Sequence, residues 1–489
     1  MPHDAFFREM KGLLYCSAAV LLLAFGTASS MAQRAPAAPA SLWQAPKKMR
    51  LNAQLPSVPL QGYAVSAQTV YSVAELIDLA EQHNPATRLA WQQARARAAQ
   101  LGIARSEWYP TIAALAVADT ARVRVLLNST FYRQTYGDFT PELHAEYLVL
   151  DFGGRSGAID AARWNLLAAD LSFNDAHRRI IFQVMSAYYR LLDARGLRQA
   201  AEVSLRNAQA VEADVQDRLN HGLATKPDLL EAQASSAQAE YDLQSAIGAE
   251  QITHGNLATV LELPPDTDFQ VQEVSALDLP TDLAESVRAE TERALEQRPD
   301  LKALLAQIKA ANAVIREQRS SYFPTLSFDG NGGLTRQYGA QNQLAPGYIG
   351  GETWDASLEL KWTLFDGGRR EHQVGQALAQ RAAAQAQIDS LRDQIANGVW
   401  AAHTDVETAL RQRQAALALM TSAEQSYEAT RESYNDGVRS ILDVIAAQKA
   451  LAEAQAEDVT ARTQLLLQTA NLAFQTGDLI ASPPAKTGP

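Results

Sequence analysis

Residues 354–369 read WDASLELKWTLFDGGR. Trp354, Ala356, Leu358, Leu360, Trp362 and Leu364 alternate with Asp355, Ser357, Glu359, Lys361 and Thr363. A period of two predicts a strand near 352–365 with one apolar and one polar face. Gly367 and Gly368 then break the strand. From there to Gly437 the chain holds no proline and few glycines. That predicts one helix of about 65 residues, on the order of 100 Å at 1.5 Å per residue. No compact globule needs a helix of that length.

The same pattern occurs earlier in the chain. Asn84-Pro85 matches Arg298-Pro299, SEWYPTI (106–112) matches SSYFPTL (320–326), and LDFGGR (150–155) matches LFDGGR (364–369), all at an offset of 214. LNHGLATKPD (219–228) matches YNDGVRSILD (434–443) at an offset of 215, as Ala232-Gln233 matches Ala447-Gln448. A nearly constant offset over so long a span identifies two homologous halves. The first repeat covers 71–263: a helix opened by the capping box Ser72-x-x-Glu75, strands near 109–120 and 142–152, a long helix and a return helix. A Pro- and Asp-rich linker follows at 264–285. The second repeat covers 286–477 with strands near 324–336 and 352–365, and 478–489 form a C-terminal tail. Pro110 and Pro324 mark the passages from helix to strand. The pairs Gly153-Gly154 and Gly367-Gly368 mark the passages from strand to helix.

The N-terminus carries Arg8 and Lys11, an apolar run from Leu13 to Phe25, and Ser30-Met31-Ala32. This reads as a secretory signal peptide over 1–32. Residues 33–70 are rich in Pro and Ala and read as an extended lead-in. Cys16, the one cysteine, lies inside the signal peptide, so the mature chain has no disulfide, thiolate metal site or lipid-anchor cysteine. The net charge of -12 argues against nucleic acid as a partner. No later stretch reaches the roughly 18 apolar residues of a spanning helix, so a membrane crossing requires β-strands.

Along the second long helix, Ile388, Leu391, Ile395, Val399, Ala402, Val406 and Leu410 follow a period near 3.67, which favours nearly straight packing. Ala416, Met420, Ala423, Tyr427, Thr430 and Tyr434 follow a period of 3.5, a left-handed coiled coil. Four strands cannot close a barrel, for which about eight are needed. Two copies would give a filled interior, and three would leave room for a lumen. Trp108, Tyr109, Phe152, Tyr322, Phe323, Trp362 and Phe365 gather where strands meet helices. That placement suits a membrane-interface girdle, or ordinary packing at an element junction.

The ordered set of signal peptide, duplicated half, FPTL before a strand, LFDGGR after one and YxxGxRSxLDVxxAQ at the corner resembles the TolC family of outer-membrane efflux proteins over about residues 71–477. The missing anchor cysteine resembles the non-lipidated members. The resemblance implies an α+β membrane protein with two internal repeats. It implies a homotrimer whose twelve-stranded β-barrel, four strands per chain, would stand in outer-membrane lipid. A long α-helical coiled-coil barrel continues it through the periplasm of a Gram-negative bacterium. It further implies a passive exit duct, without cofactor or metal, for small molecules delivered by a periplasmic adaptor (membrane-fusion) protein and an inner-membrane pump. A protein-exporting type I secretion duct keeps the same fold. A soluble periplasmic helical scaffold is the reading from another class, and the strand at 354–364 opposes it.

The corner YNDGVRSILD first reads as a turn. Gly437 ends one helix in a left-handed conformation and Ser440-x-x-Asp443 caps the next. Gly222 and Thr225-x-x-Asp228 repeat the device. Tyr434 and Arg439 differ, since their counterparts are Leu219 and Ala224. The resemblance implies that Asp228 accepts from Tyr434 within a chain and from Arg439 of a neighbour, holding the periplasmic end shut. It also implies that Asp443 lines the lumen and that the tips at Gly222 and Gly437 meet the adaptor. A second acidic ring is absent, because its place is Ala446. No catalytic constellation emerges: the histidines are scattered, and no HExxH or P-loop is present.

Overall fold

The computed structural model describes residues 65–127, 129–273, 279–283, 285–340 and 348–480. The expected signal peptide, most of the lead-in and the end of the tail lie outside the described residues. The elements run β1 (Val70–Tyr71), α1 (Val73–His83), α2 (Pro85–Ser106), β2 (Thr111–Leu127), β3 (Thr130–Leu150), α3 (Gly154–Asn220), α4 (Lys226–Val260), β4 (Gln270–Val271), α5 (Val287–Gln297), α6 (Pro299–Ser320), β5 (Thr325–Ala340), β6 (Tyr348–Lys361), α7 (Arg369–Asn435) and α8 (Ile441–Thr476). The two long helices α3 and α7 contain 67 residues each.

Several expectations are corrected. The first helix of each half is two helices, broken where the residue before proline takes an extended conformation: Asn84 at ψ 130° and Arg298 at ψ 124°. The linker is not wholly irregular, because Gln270–Val271 pairs in parallel with Val70–Tyr71. The strands β2, β3 and β5 outrun the alternating pattern. Cross-strand bonding continues through Val123 and Arg124 where the two-face contrast has faded. In contrast β6 stops at Lys361, and Trp362 turns away to donate its indole N–H to the Tyr322 carbonyl at 3.1 Å.

The four long strands form an antiparallel sheet in the order β2-β3-β5-β6, leaving β2 and β6 as edges. Helices α2, α3, α6 and α7 lie side by side beyond it, and α4 and α8 return along α3 and α7. The partner of α7 changes inside the first stripe, between Val399 and Ala402, before the period does. Ile388, Ile395 and Val399 pack on Ala294 and Leu301 of α5 and α6. Ala402, Val406 and Ala409 pack on Leu465 and Leu472 of α8. Ala423 and Tyr427 join Ile441, Val444 and Leu451 in the coil near the corner. A further core at mid-height gathers Leu76, Tyr188, Leu191, Leu257 and Phe269. There burial pushes the Tyr188 phenol up to about 12. His403 of α7 pairs with Glu290 of α5 at 2.8 Å.

Candidate functional site

Register sorts the sheet into two faces, since directly paired residues share a face. Ile112 pairs with Ala145, Ala145 with Gly330, and Gly330 with Ala356; Leu326 pairs with Leu360 and Phe328 with Leu358. Leu143, Trp354, Leu358 and Leu360 on this face are strongly exposed in the single chain. The other face is polar. His144 Nδ1 lies 2.5 Å from Asn331 Oδ1, and Asn331 donates to Asp355 at 3.2 Å, joining three strands in one row. Asp329 stands 3.5 Å from His144 Nε2. Glu142, Glu146 and Glu359 share the face. Apart from His144 and Lys361, the described ionisable groups there are acidic.

Strand and helix are joined by a device built twice. Asp151 accepts from the backbone N–H of Gly153 at 3.4 Å and of Arg155 at 2.5 Å. Asp366 accepts from Gly368 at 3.1 Å and Arg370 at 3.2 Å. The structural equivalents are therefore Asp151 and Asp366, Gly153 and Gly368, Arg155 and Arg370, an offset of 215 at this motif. Matching the two GG pairs letter for letter misplaces them by one. Phe152 at φ 50° and Gly153 at φ 99° occupy the left-handed positions taken by Gly367 at φ 71° and Gly368 at φ 87°. Gly154 begins the helix. The Arg155 guanidinium sits 4.6 Å over the Trp108 ring and donates to the carbonyls of Glu107 and Val149 at 3.2 and 3.1 Å. Arg370 lies 5.3 Å over Tyr322 and donates to the Ser321 carbonyl at 3.3 Å. Each arginine thus locks the helix leaving the sheet to the turn before Pro110 or Pro324 that enters it.

At the far end of the helices the two corners share a backbone. Gly222 and Gly437 both stand at φ 77°. Leu223 N–H reaches back to the Arg218 carbonyl at 2.8 Å, and Val438 N–H to Ser433 at 2.9 Å. These left-handed closures satisfy the last helical carbonyls. Asp228 accepts from the Thr225 hydroxyl at 2.7 Å and the Thr225 N–H at 2.8 Å. Asp443 accepts from Ser440 N–H at 3.0 Å and its hydroxyl at 2.8 Å. Bonds from the Thr225 hydroxyl and N–H hold the Asp228 carboxyl below the usual range. Bonds from the Ser440 N–H and hydroxyl do the same for Asp443.

Because the folded-state values are the depressed ones, this stabilisation is complete above the ordinary carboxylate value of about 4. It is lost as pH falls through the lower folded values. Thr225→Ala is expected to cost about 1 kcal/mol and to speed hydrogen exchange at the first turn of α4. Acidification below about pH 4 should mimic it in the wild type and add little in the variant.

Among the described residues no hydrogen bond joins Tyr434 to Asp228. Tyr434 instead carries the Arg218 guanidinium 4.5 Å over its ring. Arg218 also donates to Asn435 at 2.7 Å and to Asp214 at 3.0 Å, so it ties the first corner to the second. Burial raises the Tyr434 phenol, outweighing the opposing pull of Arg218. Arg439 is exposed and stands 3.7 Å from Asp443. Arg218 is the residue the sequence reading missed. Its counterpart is Ser433, so the comparison that singled out Tyr434 and Arg439 would have found it one residue upstream.

An open sheet with one apolar and one polar face, continued by two hairpins that each pair a 67-residue helix with a return helix of 35 or 36 residues, is the architecture of an outer-membrane exit duct. The chain belongs to the outer membrane efflux protein family, whose model matches residues 76–261 and 291–478. It is 28% identical over 409 residues to protein CyaE of Bordetella pertussis, covering 83% of this chain and 84% of that one. It is 26% identical over 439 residues to outer membrane protein OprJ of Pseudomonas aeruginosa, covering 88% and 89%. To the pyoverdine export outer membrane protein OpmQ of Pseudomonas putida it is 26% identical over 452 residues, covering 89% and 91%. A membrane protein from Pseudomonas aeruginosa shares the fold with a TM-score of 0.74 at 23% identity, covering 90% of this chain and all of that one. The chain is an outer-membrane channel that reaches into the periplasm and serves as the exit duct of an efflux or secretion system.

Proposed function

We propose that three copies close into one passive duct for small molecules. The observation that carries this reading is the sheet with two unpaired edges and an exposed apolar face. Exposed edges bind further strands, and three sets of four give a twelve-stranded barrel wide enough for a lumen. The apolar face meets outer-membrane lipid and the polar face lines the water-filled interior. The acidic row beside His144 makes that interior prefer cations. At the periplasmic end Asp228, Tyr434, Arg439 and Asp443 of neighbouring copies close the duct, with Arg218 bracing Tyr434 inside each copy. Around Gly222 and Gly437 the apolar side chains of Leu223, Val438 and Leu442 stand free, a surface fitted to a periplasmic adaptor. An inner-membrane pump supplies the energy. A small-molecule cargo is in keeping with OpmQ, a pyoverdine export protein.

Cysteine pairs scanned along β2 and β6 test the assembly, because the chain has one natural cysteine, Cys16. Disulfide-linked trimers are the expected product. A monomeric mass in detergent with no cross-link at any register would rule out the closed barrel.

A further inference from the structure

The apolar face of the sheet carries its arginines toward one end, from Arg336 of β5, which pairs with Phe139, outward. Beyond the Ala118–Phe139 pair, the rows of β2 and β3 on that face continue Thr120–Gly137, Arg122–Thr135, Arg124–Arg133 and Leu126–Phe131. Arg122 Nε donates to Thr135 Oγ1 at 2.9 Å, which confirms that the two side chains share the face. Arg122, Arg124 and Arg133 are all exposed. The acids of the same two strands, Asp119, Asp138, Glu142 and Glu146, fall in the alternate register and stand on the opposite face. On these strands charge is therefore segregated by sign between the two faces. The nearest acid on the apolar face is Glu352, on β6, at the opposite edge of the sheet.

Depth fixes what the arginines meet. From Pro110, at the junction with the helices, to Arg122 the strand climbs roughly 30 Å along the membrane normal, at about 3.4 Å per residue and a tilt near 40°. The apolar band of such barrels is about 25 Å tall. The arginines thus stand just past the hydrocarbon, on the side away from the periplasm. A guanidinium fork matches a phosphate with two parallel bonds, which a lysine cannot do.

We propose that Arg122, Arg124 and Arg133 form a cationic collar that binds the phosphate groups of the outer-leaflet glycolipid. The inference rests on the reading that the apolar face meets lipid. Phe131 and Leu126, exposed in the next row, extend the contact toward the sugar part of the same lipid.

The full chain is extracted from membranes in mild detergent, and the co-purifying lipid phosphate is measured. Wild type is compared with Arg122→Gln/Arg124→Gln/Arg133→Gln and with a control of equal charge change on exposed helix positions, Arg288→Gln/Arg381→Gln/Arg411→Gln. At about 1 kcal/mol for each arginine near the surface, the collar variant should bind lipopolysaccharide roughly a hundred-fold more weakly, and the control should match wild type. Wild-type lipid content in the collar variant overturns the proposal. A second measurement needs no variant: the melting temperature of wild type is followed with lipopolysaccharide, with its dephosphorylated form and with inorganic phosphate. Stabilisation by the phosphorylated lipid alone supports the collar. Equal stabilisation by the dephosphorylated lipid, or by inorganic phosphate, overturns it. If wild type fails to insert into vesicles, the barrel reading itself falls; insertion with unaltered lipid binding removes only the collar.

Discussion

Replacing Arg178 by methionine is expected to destabilise the chain by about 3–5 kcal/mol, the cost of breaking a buried ion pair from one side. The Arg178 side chain is 1% exposed. Its Nε and Nη2 donate to Asp175 at 2.9 and 2.6 Å, and its Nη1 donates to the Phe474 carbonyl at 2.6 Å. The guanidinium lies 4.2 Å over the Phe474 ring and 3.4 Å from Asp300. Arg298 holds Asp300 at 2.7 Å and reaches the Gln475 carbonyl at 3.1 Å. One cluster therefore ties α3 of the first repeat to α6 and α8 of the second.

Burial pulls the Arg178 guanidinium down from its usual value, and Asp175 opposes the shift. For Asp300 burial alone would raise the carboxyl, but Arg298 and Arg178 outweigh it and leave it depressed. Methionine fills the volume but strips Asp175 of its buried partner, leaving it only the exposed Arg179 at 2.6 Å. The double variant Arg178→Met/Asp175→Asn removes both charges and should be less destabilised than the two single effects summed. Urea unfolding of all three variants is the check. A loss below about 1 kcal/mol for Arg178→Met would mean that the cluster contributes no more than an ordinary surface contact.

The second large effect is expected at the corner. Combining Arg439→Ala with Tyr434→Phe should raise single-channel conductance, and adding Arg218→Ala should raise it further. In the proposed closed assembly, a bond from Arg439 of a neighbouring copy to Asp228 would contribute about 1.5–3 kcal/mol before screening, and Tyr434 would act through the Arg218 guanidinium over its ring. Solvent at the tip reduces this to about 1 kcal/mol. In the proposed trimer three copies would lose these bonds together, so the ratio of closed to open states is expected to fall roughly a hundred-fold. Arg218→Ala alone is informative. It removes the ring contact with Tyr434 and the bond to Asn435, both made within one copy. Conductance unchanged from wild type in the triple variant would remove the gate from these residues and leave them a structural coil end.

The corners and the long helices were legible because their determinants are local. A left-handed glycine, a hydroxyl three residues before a carboxylate, and a stripe of period 3.5 are all set within a few turns of chain. The alternation at Trp354–Leu360 was legible for the same reason, since one face of that strand must be apolar. The match of LDFGGR to LFDGGR was misread because letters were compared where geometry conserves something else. The aspartate must stand two and four residues before the N–H groups it accepts, so the glycines slide by one. Arg218 was marked by its Ser433 counterpart, but its partners Tyr434 and Asn435 were not, and the Arg178 cluster and the pairing of Gln270–Val271 with Val70–Tyr71 were not legible, since each is completed by partners far away in the sequence.

By itself, then, the sequence determined the repeat, the helix lengths, the turn chemistry and the two-faced strands, all of which follow from spacing along one segment. Only the tertiary structure decided which strands are edges, which face each arginine of β2 and β3 occupies, and which charges meet between the repeats. Those depend on register and on the packing of distant segments. A shift of one residue in strand pairing moves every side chain to the other face.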